Sequence, residues 1–130
     1  MGALQELQHK FAADADFLCV YIAEAHASDE WPMGEIVSLR QARKLDDRLT
    51  SAREFIDNTK FTWNVACDGM DNSFNKHFGA WPTRFFVVED NRLTFKVELD
   101  EQWMFNVNDV DSFLGARVGS ETQATTTLVN

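Results

Sequence analysis

Long apolar runs are missing from this 130-residue chain. No stretch approaches the roughly 20 consecutive apolar residues that a helix needs to cross a bilayer, and no signal-peptide pattern follows Met1. A soluble, intracellular domain is the expectation. Cysteine is scarce: Cys19 and Cys67 are the two present, they form no CxxC, and each lies in an apolar, strand-like run. That excludes a disulfide framework and suits two buried thiols in a reducing compartment. Positive charge is in deficit, with 12 basic against 21 acidic residues and a net charge of −9. A nucleic-acid partner requires a basic face, and here the lysines and arginines are scattered among acids. An acidic surface chiefly confers solubility. Repeats and linker composition are absent too, so the length reads as one domain able to bury a core.

What is present alternates. Leu4, Leu7, Phe11 and Ala12 recur at helical spacing and predict a helix over 3–14. The short continuous run DFLCVYIA (16–23) suits a strand covered on both faces, as in a parallel sheet. Ile36, Leu39, Leu45, Leu49, Ala52 and Ile56 predict a long helix over 35–58, with Arg40, Arg43, Lys44, Asp47 and Arg48 on its wet side. FTWNVACD (61–68) reads as a second strand, and 69–80 as a loop carrying a helical turn. RFFVVED and RLTFKVEL flank Asp90-Asn91, an antiparallel hairpin signal. Asn108 is placed to cap a last helix with Val110, Phe113 and Leu114 inside, ending at Gly115. The fold class is α/β: a parallel pair to which the hairpin adds antiparallel strands.

One segment raises a chemical question. In YIAEAHASDEW (21–31) an apolar strand ends on a carboxylate and an imidazole. Open α/β sheets gather ligands outside the carboxyl ends of their parallel strands, and Glu24 and His26 stand there. An imidazole near a carboxylate can be held in one tautomer and exchange protons near neutral pH. Spacing alone equally accommodates His26 as a strand-end cap and Glu24 as a solvent-facing acid. Arg84 equally reads as a surface ion pair, and Trp31 and Trp81 as pocket walls or core.

The order of several motifs is more specific than any one of them. DADFLCVYIAEAHASDEW (14–31) resembles the iodothyronine deiodinase signature, in which an apolar strand runs into Y-I-E-E-A-H and S-D-G-W. LDDRLTSA (45–52) is similar to that family's L-E-D-R motif. DGMDNSFNKHFGAWPTRFFVV (68–88) resembles its D-x-M-x-N run, its aromatic-Gly-Ala segment and the arginine opening the next strand. The likeness covers most of residues 14–114.

The resemblance implies a thioredoxin-like three-layer fold and reductive removal of iodine from thyroid-hormone-type substrates by a selenocysteine or cysteine. It implies that His26 relays a proton or polarises the substrate, that Glu24 orients His26, and that Arg84 helps hold the hormone through paired donors. Glu24, His26 and Arg84 are then expected to converge on one cleft. Pro82 takes the place of the fold's cis-proline, and Trp31 and Trp81 line a pocket for an iodinated ring. The implied partners are that iodinated aromatic molecule, an external thiol reductant and a second copy in a homodimer, with no metal or further cofactor.

The match also has gaps. The family's Cys-Thr-selenocysteine-Pro-Pro-Phe segment has no counterpart, and neither Cys19 nor Cys67 stands at its position. The first strand and the nucleophile are therefore expected upstream of Met1, where a membrane anchor also has room, because a selenocysteine codon is otherwise read as stop. The 130-residue chain is then expected to show no turnover by itself. Residues 1–114 form the domain on this reading and 115–130 a flexible polar tail. Ala23 replaces the first Glu of the family's pair, Glu30 the usual Gly before Trp31, and Ala42 a second functional histidine. The change at Ala42 keeps two alternatives in view: a thioredoxin-like peroxidase or reductase, and a non-catalytic thioredoxin-like binding module.

Overall fold

The computed structural model describes residues 2–32, 39–101 and 104–126, with 120–126 by backbone alone. The described residues form an α/β chain in the order α1 (Gly2–Lys10), β1 (Leu18–Tyr21), α2 (Leu45–Thr59), β2 (Asn64–Cys67), α3 (Ser73–Phe78), β3 (Phe86–Glu89), β4 (Arg92–Lys96) and α4 (Val107–Thr126). They group into two compact units, one spanning Phe17–Thr83 and the other Gly2–Asp16 with Arg84–Asn130.

In the first unit β1 and β2 pair in parallel, Leu18 opposite Asn64 and Tyr21 opposite Cys67. Parallel neighbours need a crossover, and α2 supplies it. The strand was expected to be covered on both faces, but Leu18 is 59% exposed and the rest of β1 is only half-buried. Aromatic packing carries much of the cohesion. Phe17 meets Trp63 at 4.9 Å, Trp63 meets Phe61 at 5.4 Å, and Phe61 meets Phe55 at 5.2 Å between ring centroids.

α2 begins at Leu45, well after the expected start at Glu35; residues 35–38 of the expected helix lie outside the described residues. The cause is local competition for backbone groups. The Asp47 carboxylate accepts the N–H groups of Arg43 and Lys44, which holds Lys44 extended at φ −143°. The expected faces also shift: Leu45 is exposed, whereas Arg48, placed on the wet side by sequence, is buried beside Ala52. Lys60, in the left-handed region at φ 53°, ends α2 by giving its N–H to the Ile56 carbonyl. Gly79 ends α3 in the same conformation, at φ 60°.

In the second unit β3 and β4 form the expected antiparallel hairpin, Glu89 opposite Arg92 and Phe86 opposite Lys96. Asp90 and Asn91 sit at φ 50° and 60°, the pattern of a type I′ turn, whose twist matches that of the flanking strands. Among the described residues the hairpin strands pair only with each other, so the expected addition of the hairpin to the parallel pair is not seen: the described strands make two two-stranded sheets. α1 ends at Lys10 rather than Asp14, and its buried residues are Leu7 and, just beyond, Phe11; Ala12 is exposed. α1 meets α4, where Lys10 Nζ lies 2.6 Å from Asp111.

α4 differs from expectation at both ends. Its first turn is capped by the Asn106 side chain, which accepts the Asn108 N–H at 3.0 Å, so the cap lies two residues before the one predicted. The helix then runs through Gly115 to Thr126, across residues expected to be an unstructured tail. One glycine costs a helix only about 1 kcal/mol, and Arg117, one turn on from Phe113, ties this stretch to Glu89 at 3.2 Å. Phe113 stacks on Phe95 with centroids 4.4 Å apart.

Candidate active site

The site in the first unit starts where β1 stops. The Tyr21 carbonyl accepts the Asp68 N–H at 2.9 Å, and the chain then leaves the sheet carrying Glu24 and His26. The Tyr21 phenol donates to the Glu24 carboxylate. Burial pushes the Glu24 carboxyl above its usual range, and the positive charge of Arg48 partly opposes this. Glu24 therefore takes its hydrogen bond from Tyr21, three residues back.

His26 is half-buried, and its Nδ1 atom is shielded from solvent with no hydrogen-bond partner among the described residues. A buried imidazole nitrogen left unpaired is costly. The ring lies 5.0 Å from Trp31. Trp31 in turn lies 6.5 Å from Trp81, with the planes 24° apart. Both indoles are open to solvent, at 59% and 41% exposure. The Trp81–Pro82 peptide bond is cis, in line with the resemblance. His26, Trp31, Trp81 and Pro82 thus form one connected group, and Glu24 lies two residues from His26 on the same segment.

Arg84 belongs to the second unit. Its guanidinium lies 3.3 Å from Glu98 and 5.3 Å from the centre of the Phe105 ring. The arginine side chain is only 14% exposed, and its Nε is buried without a partner among the described residues. This is a held, largely desolvated cation rather than a loose surface ion pair.

The two thiols are free and half-buried, not fully buried as expected. Burial raises the pKa of Cys19, and burial also raises that of Cys67, with Arg48 opposing and Asp68 adding. A raised thiol pKa means little thiolate, and the thiolate is the nucleophile.

Several supporting residues escaped the sequence reading. Arg48 Nη1 donates to the carbonyls of Asp68 at 3.1 Å and Gly69 at 2.7 Å. The buried Asp68 carboxylate accepts the N–H groups of Phe74 at 3.0 Å and Asn75 at 3.1 Å, at the start of α3. Asn75 Oδ1 accepts the Trp81 N–H at 2.9 Å. The site's walls are therefore strung on a chain of side-chain-to-backbone bonds running from β1 to the cis-proline. Arg48 and Asp68 lie inside the quoted motifs, which was the available signal. Ala42 borders the same small notch as Tyr21, Glu24, Arg48 and Ser51, so the histidine missing at 42 is missing from beside Glu24.

An α/β chain with an imidazole and a half-buried carboxyl just past a parallel strand, beside exposed indoles, has the form of a small-molecule site. The family model for iodothyronine deiodinase matches residues 1–117, and the chain belongs to that family. It is 30% identical over 114 residues to a type I iodothyronine deiodinase of Xenopus laevis, covering 88% of this chain and 44% of that protein. It is 37% identical over 97 residues to a thyroxine 5-deiodinase of Sparus aurata, covering 74% and 36%. A type II iodothyronine deiodinase of Petromyzon marinus is 33% identical over 116 residues, covering 88% and 40%. The chain spans less than half the length of these relatives. Among the described residues no helix is long and apolar enough to cross a membrane.

Proposed function

We propose that this chain is the substrate-holding and proton-handling part of an iodothyronine deiodinase-type oxidoreductase with a thioredoxin-like arrangement. The observation that carries the proposal is His26, whose shielded and unpaired Nδ1 stands beside the Trp31–Trp81 indoles. Stacking faces receive an iodinated aromatic ring, and the unpaired nitrogen meets its phenol or carbonyl oxygen. Glu24, whose carboxyl is raised by burial and accepts from the Tyr21 phenol, is proposed to orient His26. Arg84, already desolvated over Phe105, is proposed to bind a hormone carboxylate or phenolate in place of Glu98.

We propose that the nucleophile, a selenocysteine or cysteine, is supplied by a part of the protein other than these 130 residues, because burial raises the pKa of both thiols here. External thiol then returns the oxidised nucleophile to its reduced form, and a homodimer is the proposed assembly. The test is iodide release from thyroxine, with a dithiol reductant, by the complete protein that the transcript encodes. Release that falls at least a hundredfold on His26→Ala is expected. Peroxide reduction without iodide release would replace this reading with the peroxidase alternative, which Ala42 favours. The 130-residue chain alone is expected to bind thyroxine, quenching Trp31 and Trp81 fluorescence, without turnover.

A further inference from the structure

The segment that carries Glu24 and His26 has no strand or helix to hold it. Between Tyr21 and Pro32 the backbone is irregular apart from the turn over 28–30. Backbone polar groups in such a segment must find partners elsewhere or stay unpaired. Glu24 finds both of its partners in one side chain. The Glu24 N–H donates to Gln41 Oε1 at 3.1 Å, and Gln41 Nε2 donates to the Glu24 carbonyl at 3.0 Å. A carboxamide carries its acceptor and donor side by side, so it can stand in for a neighbouring strand across one residue.

The same residue reaches the far side of His26. Gln41 Nε2 also donates to the Glu30 carboxylate at 3.0 Å, and the Gln41 N–H donates to the Asp29 carboxylate at 2.8 Å. That last bond is the leading reason the Asp29 carboxyl lies below its usual range, aided by Arg40 and Arg43. Next to it, the Ser28 N–H donates to the Leu39 carbonyl at 2.8 Å. Residues 39–41 thus fasten the loop on both sides of His26. The His26 ring itself has no bond through Nδ1 to fix it, so its placement depends on where the loop is pinned. The contact needs the Glu30 side chain, which a glycine before Trp31, the residue in the signature this segment resembles, would not offer.

We infer that Gln41 is the positioning residue for this site, holding Glu24 and His26 in register through Glu24 on one side and Glu30 on the other. It touches no reacting atom in this role, and the inference rests on the proposed function only in calling the loop an active-site loop. Its test therefore reads the loop and not turnover. Amide hydrogen exchange and the His26 ring resonances are followed by NMR in the 130-residue chain, as wild type, Gln41→Ala, Gln41→Glu and Glu30→Gly. Gln41→Glu keeps an acceptor for the Glu24 N–H but loses both donations. Glu30→Gly removes one bond and leaves Gln41 in place.

In Gln41→Ala, exchange at the Glu24 amide is expected to rise at least tenfold and the His26 resonances to shift, while β1–β2 amides keep their protection. Gln41→Glu is expected to shift the His26 resonances with a smaller rise at Glu24. Glu30→Gly is expected to give the smallest changes in the same direction. Unchanged Glu24 exchange and His26 resonances in Gln41→Ala would overturn the inference. So would a uniform loss of protection across the sheet in both Gln41 variants, which would mark Gln41 as a general stability residue. Because no arm measures iodide release, a protein that proves inactive on thyroxine leaves this result readable.

Discussion

Trp31 and Trp81 come from opposite ends of the first unit, yet their rings lie 6.5 Å apart and within 24° of parallel. Neither is core, since both indoles are substantially exposed. Exposed aromatic rings held this close form a surface for a flat, polarisable ligand. Replacing Trp81 by Ala removes one face while burying nothing new. Thyroxine binding to the chain is expected to weaken about tenfold, the equivalent of ~1.4 kcal/mol. The urea midpoint should fall only modestly, because the side chain is 41% exposed and what is lost is part of its packing against Trp31. Isothermal titration beside urea melts checks both, and an unchanged affinity would remove Trp81 from the site.

Glu24 gives a pH signature with a fixed sign. Burial raises its folded-state pKa above that of the unfolded chain, so the folded protein holds this proton more tightly. The resulting stability is fully present below the unfolded carboxyl's range and is lost as pH rises through the folded value. Glu24→Gln cannot lose it. The stability of the variant relative to wild type should therefore increase from acid to neutral pH, as read by urea melts at a series of pH values. A difference that shrinks instead would mean that the field of Arg48 outweighs burial.

The cysteines are expected to be poor nucleophiles. With both pKa values raised by burial, iodoacetamide at neutral pH should label each several-fold more slowly than a free thiol, since only thiolate reacts. Mass spectrometry of the timed reaction measures this. Cys19→Ser and Cys67→Ser are expected to leave thyroxine binding by the chain unchanged.

Arg48 is the largest structural commitment in the first unit. It is 3% exposed and spans from α2 to two carbonyls past β2. Arg48→Met fills the volume but leaves both carbonyls unpaired, and a loss of about 3 kcal/mol is expected. Chemical denaturation should show it. A loss below about 1 kcal/mol would mean that water replaces the guanidinium.

Much of this arrangement was legible from sequence. The hairpin followed from Asp90-Asn91, because two residues tolerant of positive φ between apolar alternations have few other uses. The parallel pair followed from two short apolar runs separated by a helical pattern. What failed was the helix start before Leu45. Periodicity continues through Leu39, but Asp47 bonds backward to Arg43 and Lys44, and periodicity carries no information about that competition. Gly115 was read as a stop, although the ion pair of Arg117 with Glu89 depends on a strand far away in sequence. In the site, His26, Glu24 and the tryptophans were legible as residue types in a recognisable order. Tyr21, Gln41 and Asp68 were not, because each acts through a bond whose other end only the fold brings near.

Helix α3 has six residues, too few to persist in water without outside support. Its support includes the Asp68 carboxylate, which accepts from Phe74 and Asn75 in the first turn, and the Trp81 backbone N–H, which donates to the Asn75 side chain. The indole at 81 therefore rests on a latch whose strike plate is the end of strand β2. A change at Asp68, which touches neither indole, is expected to loosen the backbone that carries Trp81.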